Sequence, residues 1–328
     1  MKNTKKLIQA LGLIFLTSIF ISCGGNSAKK TAYPAKPLTY IVPWAAGGMT
    51  DMSSRMMAVT LQKHLGQSVN VVNRTGGGGV VGHLALSQAK PDGYTIGAVT
   101  GEITQLHHMG LTDLTYLKYA PLALILYNPA AITVRIDAPW NTVDELIEAI
   151  KKEPGNLQAS GTARGGIWDI ARSGFLNAVG LSNNAVPWVP SQGASPALQE
   201  LIAGGVDIVT ASLAEVDPLR KAGQVKTLAV MSEERLAYFP DVPTLKEQGI
   251  DWSIGGWVSL CAPAGLPFEI KATLDSAIYK ASMDADFIKN MTKAGSSLHY
   301  MAGEEFSNFL KTQDESNGIL MKQAGLTN

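Results

Sequence analysis

Cysteine is nearly missing from this chain: Cys23 and Cys261 are the two in 328 residues. That excludes a disulfide framework and any zinc site built on thiolates. Neither sign of charge prevails, with 27 Lys+Arg against 27 Asp+Glu and no basic run. The electrostatic footprint that nucleic-acid binding requires is therefore absent. No internal stretch reaches the roughly 20 apolar residues of a bilayer span, which excludes a polytopic transporter. The sequence also holds no G-x-S-x-G, H-E-x-x-H or C-x-x-C. What it has in quantity is apolar side chains, 46%, and glycine, 33 residues. Together they supply a packed core and many turns, over a length that suits about two domains.

The amino terminus is read as an address. Lys2, Lys5 and Lys6 precede the apolar stretch Leu7 to Ile21, and Phe20-Ile21-Ser22-Cys23 leads into Gly24-Gly25. This is the pattern of an export signal ending at a lipobox, with residues 1–22 removed and Cys23 carrying the lipid. Phe20 is bulkier than the usual Leu at that place. Removing three lysines leaves 24 basic against 27 acidic side chains, a mature net charge near −3. Residues 23–32 comprise the lipidated Cys and a small, polar tether. Cys261, inside Val258-Ser259-Leu260-Cys261-Ala262, is expected to be a buried small hydrophobe.

From Pro37 onward short β-branched runs alternate with amphipathic stretches, which predicts an α/β fold with largely parallel strands. The expected strands are 38–42, 69–72, 94–99, 122–127, 131–136, 157–160, 185–189, 207–211, 227–231 and 257–262. Thr142 with Glu145 makes a capping box, Ser195-Pro196 an N-cap before a first-turn proline, and Thr50-Asp51 a cap for a helix running to about Leu65. Gly204 is placed to close the helix that Ser195 opens. The last 60 residues read as mostly helical, and no internal repeat is evident.

The glycines sit where strands end. Strand 38–42 runs into Trp44-Ala45-Ala46-Gly47-Gly48-Met49-Thr50-Asp51, strand 69–72 into Gly76-Gly77-Gly78-Gly79, and strand 157–160 into Gly161-Thr162-Ala163-Arg164-Gly165-Gly166. Each loop opens a helix. Ligands of open α/β sheets bind beyond the carboxyl ends of strands, where glycine lets backbone N–H groups approach an anion that the helix N-terminus also favours. The expected guest is a small anion, most simply a carboxylate. Gly77, Gly79 and Gly82 also satisfy G-x-G-x-x-G, but four consecutive glycines match it easily and no cofactor is expected. Ser87 to Lys90 fits S-x-x-K without its companion motifs. His107-His108, the one histidine pair, is expected to be exposed loop rather than metal site.

Tyr33-Pro34-x-Lys36-Pro37, Ile41-Val42-Pro43-Trp44-Ala45-Ala46-Gly47-Gly48-x-x-Asp51, Val71-Val72-Asn73-Arg74-x-Gly76-x-Gly78-Gly79, Pro91-Asp92-Gly93-Tyr94-Thr95 and Pro240-Asp241-Val242-Pro243-Thr244 resemble the Bug family, the extracytoplasmic solute receptors of tripartite tricarboxylate transporters. The likeness extends over residues 33–328, through Ala262-Pro263-Ala264-Gly265-Leu266-Pro267 to Ala324-Gly325-Leu326. It implies a periplasmic-binding-protein-like type II fold, with two α/β lobes joined by two crossovers: 33–129 plus 253–328, and 130–252. It further implies that Trp44, Ala45, Gly47, Gly48, Thr50, Asp51, Gly78 and Gly79 hold a carboxylate from lobe one. Ser160, Gly161, Thr162, Gln192 and Gly193 close from lobe two. Asp51 and Asp207 are expected to organise loops, since their charge opposes a bound anion. Arg164 is a candidate fork for a second carboxylate. Thr100 to Glu102 form a further wall, with Glu102 able to recognise an amine if the solute were an amino acid.

On this reading the chain is no enzyme. It is a monomeric lipoprotein outside the cytoplasm, whose partners are a small carboxylate, a membrane permease and, through Cys23, a lipid bilayer, with no metal and no nucleic acid. An exported enzyme using the glycine loops for a phosphorylated or acyl substrate, and a surface adhesin or sensor lipoprotein, are the alternatives.

Overall fold

A computed structural model describes residues 33–323, 326 and 327. The export signal, Cys23 and the tether lie outside the described residues. Residues 36–328 cluster as one compact unit. Its elements run β1 (Leu38–Val42), α1 (Met49–Leu65), β2 (Val69–Asn73), α2 (Val80–Ser87), β3 (Thr95–Thr100), β4 (Tyr119–Arg135), α3 (Val143–Lys152), β5 (Ala159–Ser160) and α4 (Ile167–Ala178). There follow β6 (Trp188–Val189), α5 (Ala194–Ala203), β7 (Ile208–Ser212), α6 (Leu213–Lys221), β8 (Val225–Val230), β9 (Gly255–Pro263), α7 (Phe268–Ser282), α8 (Ala285–Lys293), β10 (Leu298–Ala302) and α9 (Gly303–Gln323).

The strand order is β2-β1-β3-β9-β4-β7-β5-β6, with β8 and β10 also paired to β4. Two parallel groups, β2-β1-β3 and β6-β5-β7, stand at opposite ends. Between them every pairing is antiparallel, because β4 leaves the first lobe and β9 returns to it in the opposite sense. The sheet is thus mixed, a correction to the largely parallel expectation. The two strands expected at 122–127 and 131–136 are one, β4. Its residues Tyr119 to Pro129 pair with β9, and Ala130 to Arg135 pair with β7 and β8. Pro129 stands where the partner changes, a place that can spare a backbone N–H. At the change the passes are knitted together: Ala130 N–H donates to Ile254 O, Ile254 N–H to Met231 O, and Met231 N–H to Ala130 O.

The late helices pack on α1 and β4, and they bring a strand that the sequence reading missed, β10, antiparallel to β4. Ile41, Leu86, Val99, Leu124, Trp257 and Phe306 share the core on that side, while Ala131, Leu213, Val230, Phe239 and Val242 form a second cluster. Cys261 is buried in the first.

Helix starts divide by place. Helix α3 has its full capping box, Glu145 N–H donating to Thr142 Oγ1, and α8 is capped by Asp284. By contrast α1, α4 and α5 begin after Gly48, Gly166 and Gly193, none with a side-chain cap. Thr50 and Asp51 lie inside the first turn of α1, and Ser195-Pro196 lies inside α5, not before it. Gly204 closes α5 in the left-handed conformation as expected. A glycine N-cap leaves the first helical N–H groups without a local acceptor, so those groups must be satisfied from elsewhere.

Candidate functional site

The amino ends of α1, α4 and α5 converge on a narrow cavity of about 30 Å³, bordered by residues from both lobes. Trp44, Ala45, Gly48, Met49, Thr50, Thr100, Gly101, Glu102, Gly256 and Trp257 line it from the first lobe. Thr162, Ile167, Trp168, Gly193, Ala194 and Glu215 line it from the second. Its walls therefore hold three tryptophans and two carboxylates, and no cationic side chain among the described residues.

The two lobes build their loops alike. In the first, Gly47 (φ 86) turns the chain, its N–H donates to Asp51 Oδ2 at 3.0 Å, and Arg55 and Asn73 hold the same carboxylate. Burial works hardest on the Asp51 carboxyl and opposes its ionisation. The bonds from Arg55, Gly47 and Asn73 outweigh that and hold it below the usual range. In the second, Gly165 (φ 71) turns the chain, its N–H donates to Asp169 Oδ2 at 2.8 Å, and Arg172 pairs with Asp169. Gly47-Gly48-Met49-Thr50-Asp51 and Gly165-Gly166-Ile167-Trp168-Asp169 are one motif used twice, G-G-x-x-D, which corrects the reading that no repeat exists. Asp51 organises its loop as expected, and Asp207 is structural too, accepting from Gln158 N–H.

What each loop leaves open, the opposite lobe fills. Met49 N–H, the first of α1, donates to Glu215 Oε1 at 2.8 Å. Ile167 N–H, the first of α4, donates to Glu102 Oε1 at 3.3 Å. Each glutamate is steadied by the hydroxyl at its own strand end, Ser212 Oγ to Glu215 Oε2 at 2.8 Å and Thr100 Oγ1 to Glu102 Oε2 at 2.6 Å. A carboxylate on a helix N-terminus is favoured by the free amides and by the macrodipole. Burial is nonetheless the largest influence on both groups and pushes both upward, with repulsion from Glu102 adding to the rise at Glu215.

Residues 53–326 match the family model described as tripartite tricarboxylate transporter family receptor. The chain belongs to this receptor family. A UPF0065 protein of Bordetella pertussis is 29% identical over 95% of this chain and 96% of its own length, and protein BugT of the same organism is 27% identical over 98% of each. A TctC solute binding protein from Polaromonas is 36% identical with a TM-score of 0.65, covering 89% of this chain and 99% of its own. MatC from Rhodopseudomonas palustris with bound malate (25%, TM-score 0.79, 88% and 99%) and Rpa4515 of the same organism with adipate (25%, 0.83, 90% and 99%) share the two-lobed fold. The Polaromonas protein is described as a solute binding protein.

Of the residues expected to line a receptor site, Trp44, Ala45, Gly48, Thr50, Thr162 and Gly193 border the cavity, as does the further wall Thr100, Gly101 and Glu102. Trp44 is pinned above it by its indole N–H to Thr100 Oγ1 at 3.1 Å. The other candidates stand behind the wall or away from it. Gly47 and Asp51 shape the loop. Gln192 contributes its carbonyl, which accepts from Ala45 N–H and ties the lobes together. Ser160 Oγ donates to Val189 O, and Gly161 packs so closely on Thr210 O and Trp168 that a Cβ there would sit 2.4 Å from the carbonyl. Gly78 faces Ala163 of the other lobe, and Gly79 lies beneath Trp44 and His83. His83, unmarked in the sequence, is wholly buried: its ring accepts Thr100 N–H at Nε2 and contacts Gly79 O through Nδ1. Burial lowers it to about 4, so it is neutral. Arg164 is exposed and borders a separate depression with Asn184 and Pro187.

Sequence reasoning missed Met49, Ile167, Trp168, Ala194, Glu215, Gly256 and Trp257. The repeated G-G-x-x-D is the signal that would have found the second helix start. Three motifs lie elsewhere. Ser87 Oγ bonds its own helix at Leu84 O, and burial pushes the Cys261 thiol up to about 12, so neither is an activated nucleophile. The rings of His107 and His108 lie 4.0 Å apart, tilted by 40°, and converge on Asp314 instead of diverging into solvent.

Because both cavity glutamates are held above the ordinary carboxylate value of 4.5, the folded state binds more protons than the unfolded chain just above that pH. Stability contributed in this way is present at low pH and lost as pH rises. The difference in melting temperature between the wild type and a Glu102→Gln/Glu215→Gln variant should fall steadily from about pH 4.5 to pH 7. A difference that stays constant in calorimetric scans over that interval contradicts the assignment.

Proposed function

We propose that the chain is a lipid-anchored receptor that captures a small organic carboxylate between its lobes and presents it to the permease of a tripartite transporter. The observation that carries the proposal is the convergence of three glycine-capped helix starts, drawn from both lobes, on one cavity. Amides so placed can hold negative charge without a cationic side chain, as the first amides of α1 and α4 already do for Glu215 and Glu102. The bodies that move are 33–129 plus 253–328 and 130–252, hinged where β4 changes partner and where β9 begins. Contacts available when both lobes touch the solute shift the hinge equilibrium toward closure. Micromolar capture needs about −8 kcal/mol, within reach of several charge-assisted hydrogen bonds in a site that excludes water. Malate and adipate on two family structures support the carboxylate class.

Titration calorimetry against di- and tricarboxylates, aromatic acids and amino acids tests the reading. Saturable binding without turnover is expected, and product formation contradicts it. Gly48→Val should weaken capture at least about 100-fold, roughly 2.8 kcal/mol. A Cβ at Gly48 already stands 3.4 Å from Glu215 Oε1, so the valine methyls would enter the cavity. The backbone there (φ −80) accepts any residue, so unfolding stays cooperative. Arg164→Ala should leave affinity within about twofold, or about 0.4 kcal/mol; a selective loss for dicarboxylates would restore Arg164 to the site.

The anchor is tested separately. Expressed with its own leader, the chain should fractionate with membranes and incorporate labelled fatty acid, and Cys23→Ser should abolish both. Labelling that survives the substitution contradicts lipidation at Cys23.

A further inference from the structure

The acid pair in the cavity poses a problem for a purely anionic guest. Glu102 and Glu215 both border the cavity, Glu102 at 2% exposure, and the lining has no Lys, Arg or His to neutralise them. A dicarboxylate would add two negative charges beside two that are already repelling one another in a low-dielectric pocket. Neither glutamate is exhausted by its protein partners. Glu102 accepts from Thr100 and Ile167, and Glu215 from Met49 and Ser212, which leaves acceptor lone pairs on both carboxylates.

A second observation points to a bound group. Thr162 Oγ1, in a residue 5% exposed, has no hydrogen-bond partner and belongs to the same lining. A Cβ built on Gly166 would lie 2.7 Å from this oxygen and 3.5 Å from Glu102 Oε1, so the glycine keeps open a space that both oxygens border. Buried hydroxyls are rarely left unpaired in native proteins. Trp44, Trp168 and Trp257 line the same cavity, and tryptophan ring faces attract cations.

We infer that the solute carries a protonated nitrogen, held by Glu102 and Glu215 in the cavity the tryptophans also line, so that this receptor selects amino-bearing acids over their hydroxy and deamino counterparts. The inference rests on the solute-receptor reading above and narrows its substrate class. Glu102 and Glu215 are the specificity-determining residues, and Thr162 Oγ1 is a further contact for the same guest. An ammonium group brings three donors and a positive charge to two carboxylates that have room for both.

The test uses the purified full-length chain and matched triplets on three-, four-, five-carbon and aromatic skeletons, each differing only in hydrogen, hydroxyl or amino at one carbon; succinate, malate and aspartate are one such set. The amino member of the bound skeleton should bind at least about tenfold tighter than the other two, about 1.4 kcal/mol. Glu102→Gln and Glu215→Gln should each cut that preference at least about fivefold while the melts remain cooperative. Equal or tighter binding of the hydroxy or deamino member, or a preference unmoved in both variants, overturns the inference and leaves the carboxylate receptor standing. If no acid binds but a simple amine such as putrescine does, the assignment of Glu102 and Glu215 to a protonated nitrogen stands, while the carboxylate reading and the preference among acids both fall. Silence across the panel and the amine contradicts both.

Discussion

Each of the two central helices begins on an amide that its own lobe does not satisfy, and the acceptor comes from the lobe opposite. Met49 N–H meets Glu215, and Ile167 N–H meets Glu102. The rest of the cleft follows from this reciprocity. A buried N–H without a partner is costly, and so is a buried carboxylate without donors. Apart, the lobes would leave both kinds of group to water; together, they settle both at once. Approach of the lobes and satisfaction of these four groups are therefore the same event.

That arrangement dictates which residues the loops can contain. A Ser, Thr or Asp cap at Gly48 or Gly166 would take the amides for itself, as Thr142 does at the solvent-facing start of α3. Glycine leaves them open, and Asp51 and Asp169 hold the loops in shape from behind, each clamped by an arginine one turn along. The crossovers complete the frame. Asn128, at the end of the first-lobe pairing of β4, donates through Nδ2 to Met49 Sδ and accepts Ser297 N–H. The change of partner in β4 is thus in contact with the helix start that the opposite glutamate caps. Gly256 lets Trp168 lie against the start of β9, where a Cβ would stand 2.9 Å from its ring. The cleft, the change of partner in β4 and the late helices are parts of one assembly, as the proposed closure on a solute requires.

Much of this was legible in the sequence, and the parts that were not share a cause. The glycine loops after β1 and β5, the capping box at Thr142 and the buried Cys261 are local features, written in adjacent residues. The return of the last 60 residues to the first lobe was implied by family likeness. The cavity glutamates were not readable as a pair, because what gives each its role is an amide 65 or 166 residues away across the cleft. The repeat G-G-x-x-D escaped notice since two pentads among 33 glycines carry little weight until both are seen to start helices. The strands expected at 122–127 and 131–136 are one, in which Pro129 marks a change of partner. Arg164 looked like a ligand fork by charge alone; it is exposed and borders a separate depression, a placement visible only in three dimensions.

The reciprocal contact can be observed directly by nuclear magnetic resonance, by following the backbone amides of Met49 and Ile167 as pH is lowered. Their proton shifts should move with protonation of a carboxyl group, Met49 losing that response in Glu215→Gln alone and Ile167 losing it in Glu102→Gln alone. If neither amide is affected by the substitution in the opposite lobe, the two helix starts are satisfied some other way and the account of the cleft is wrong.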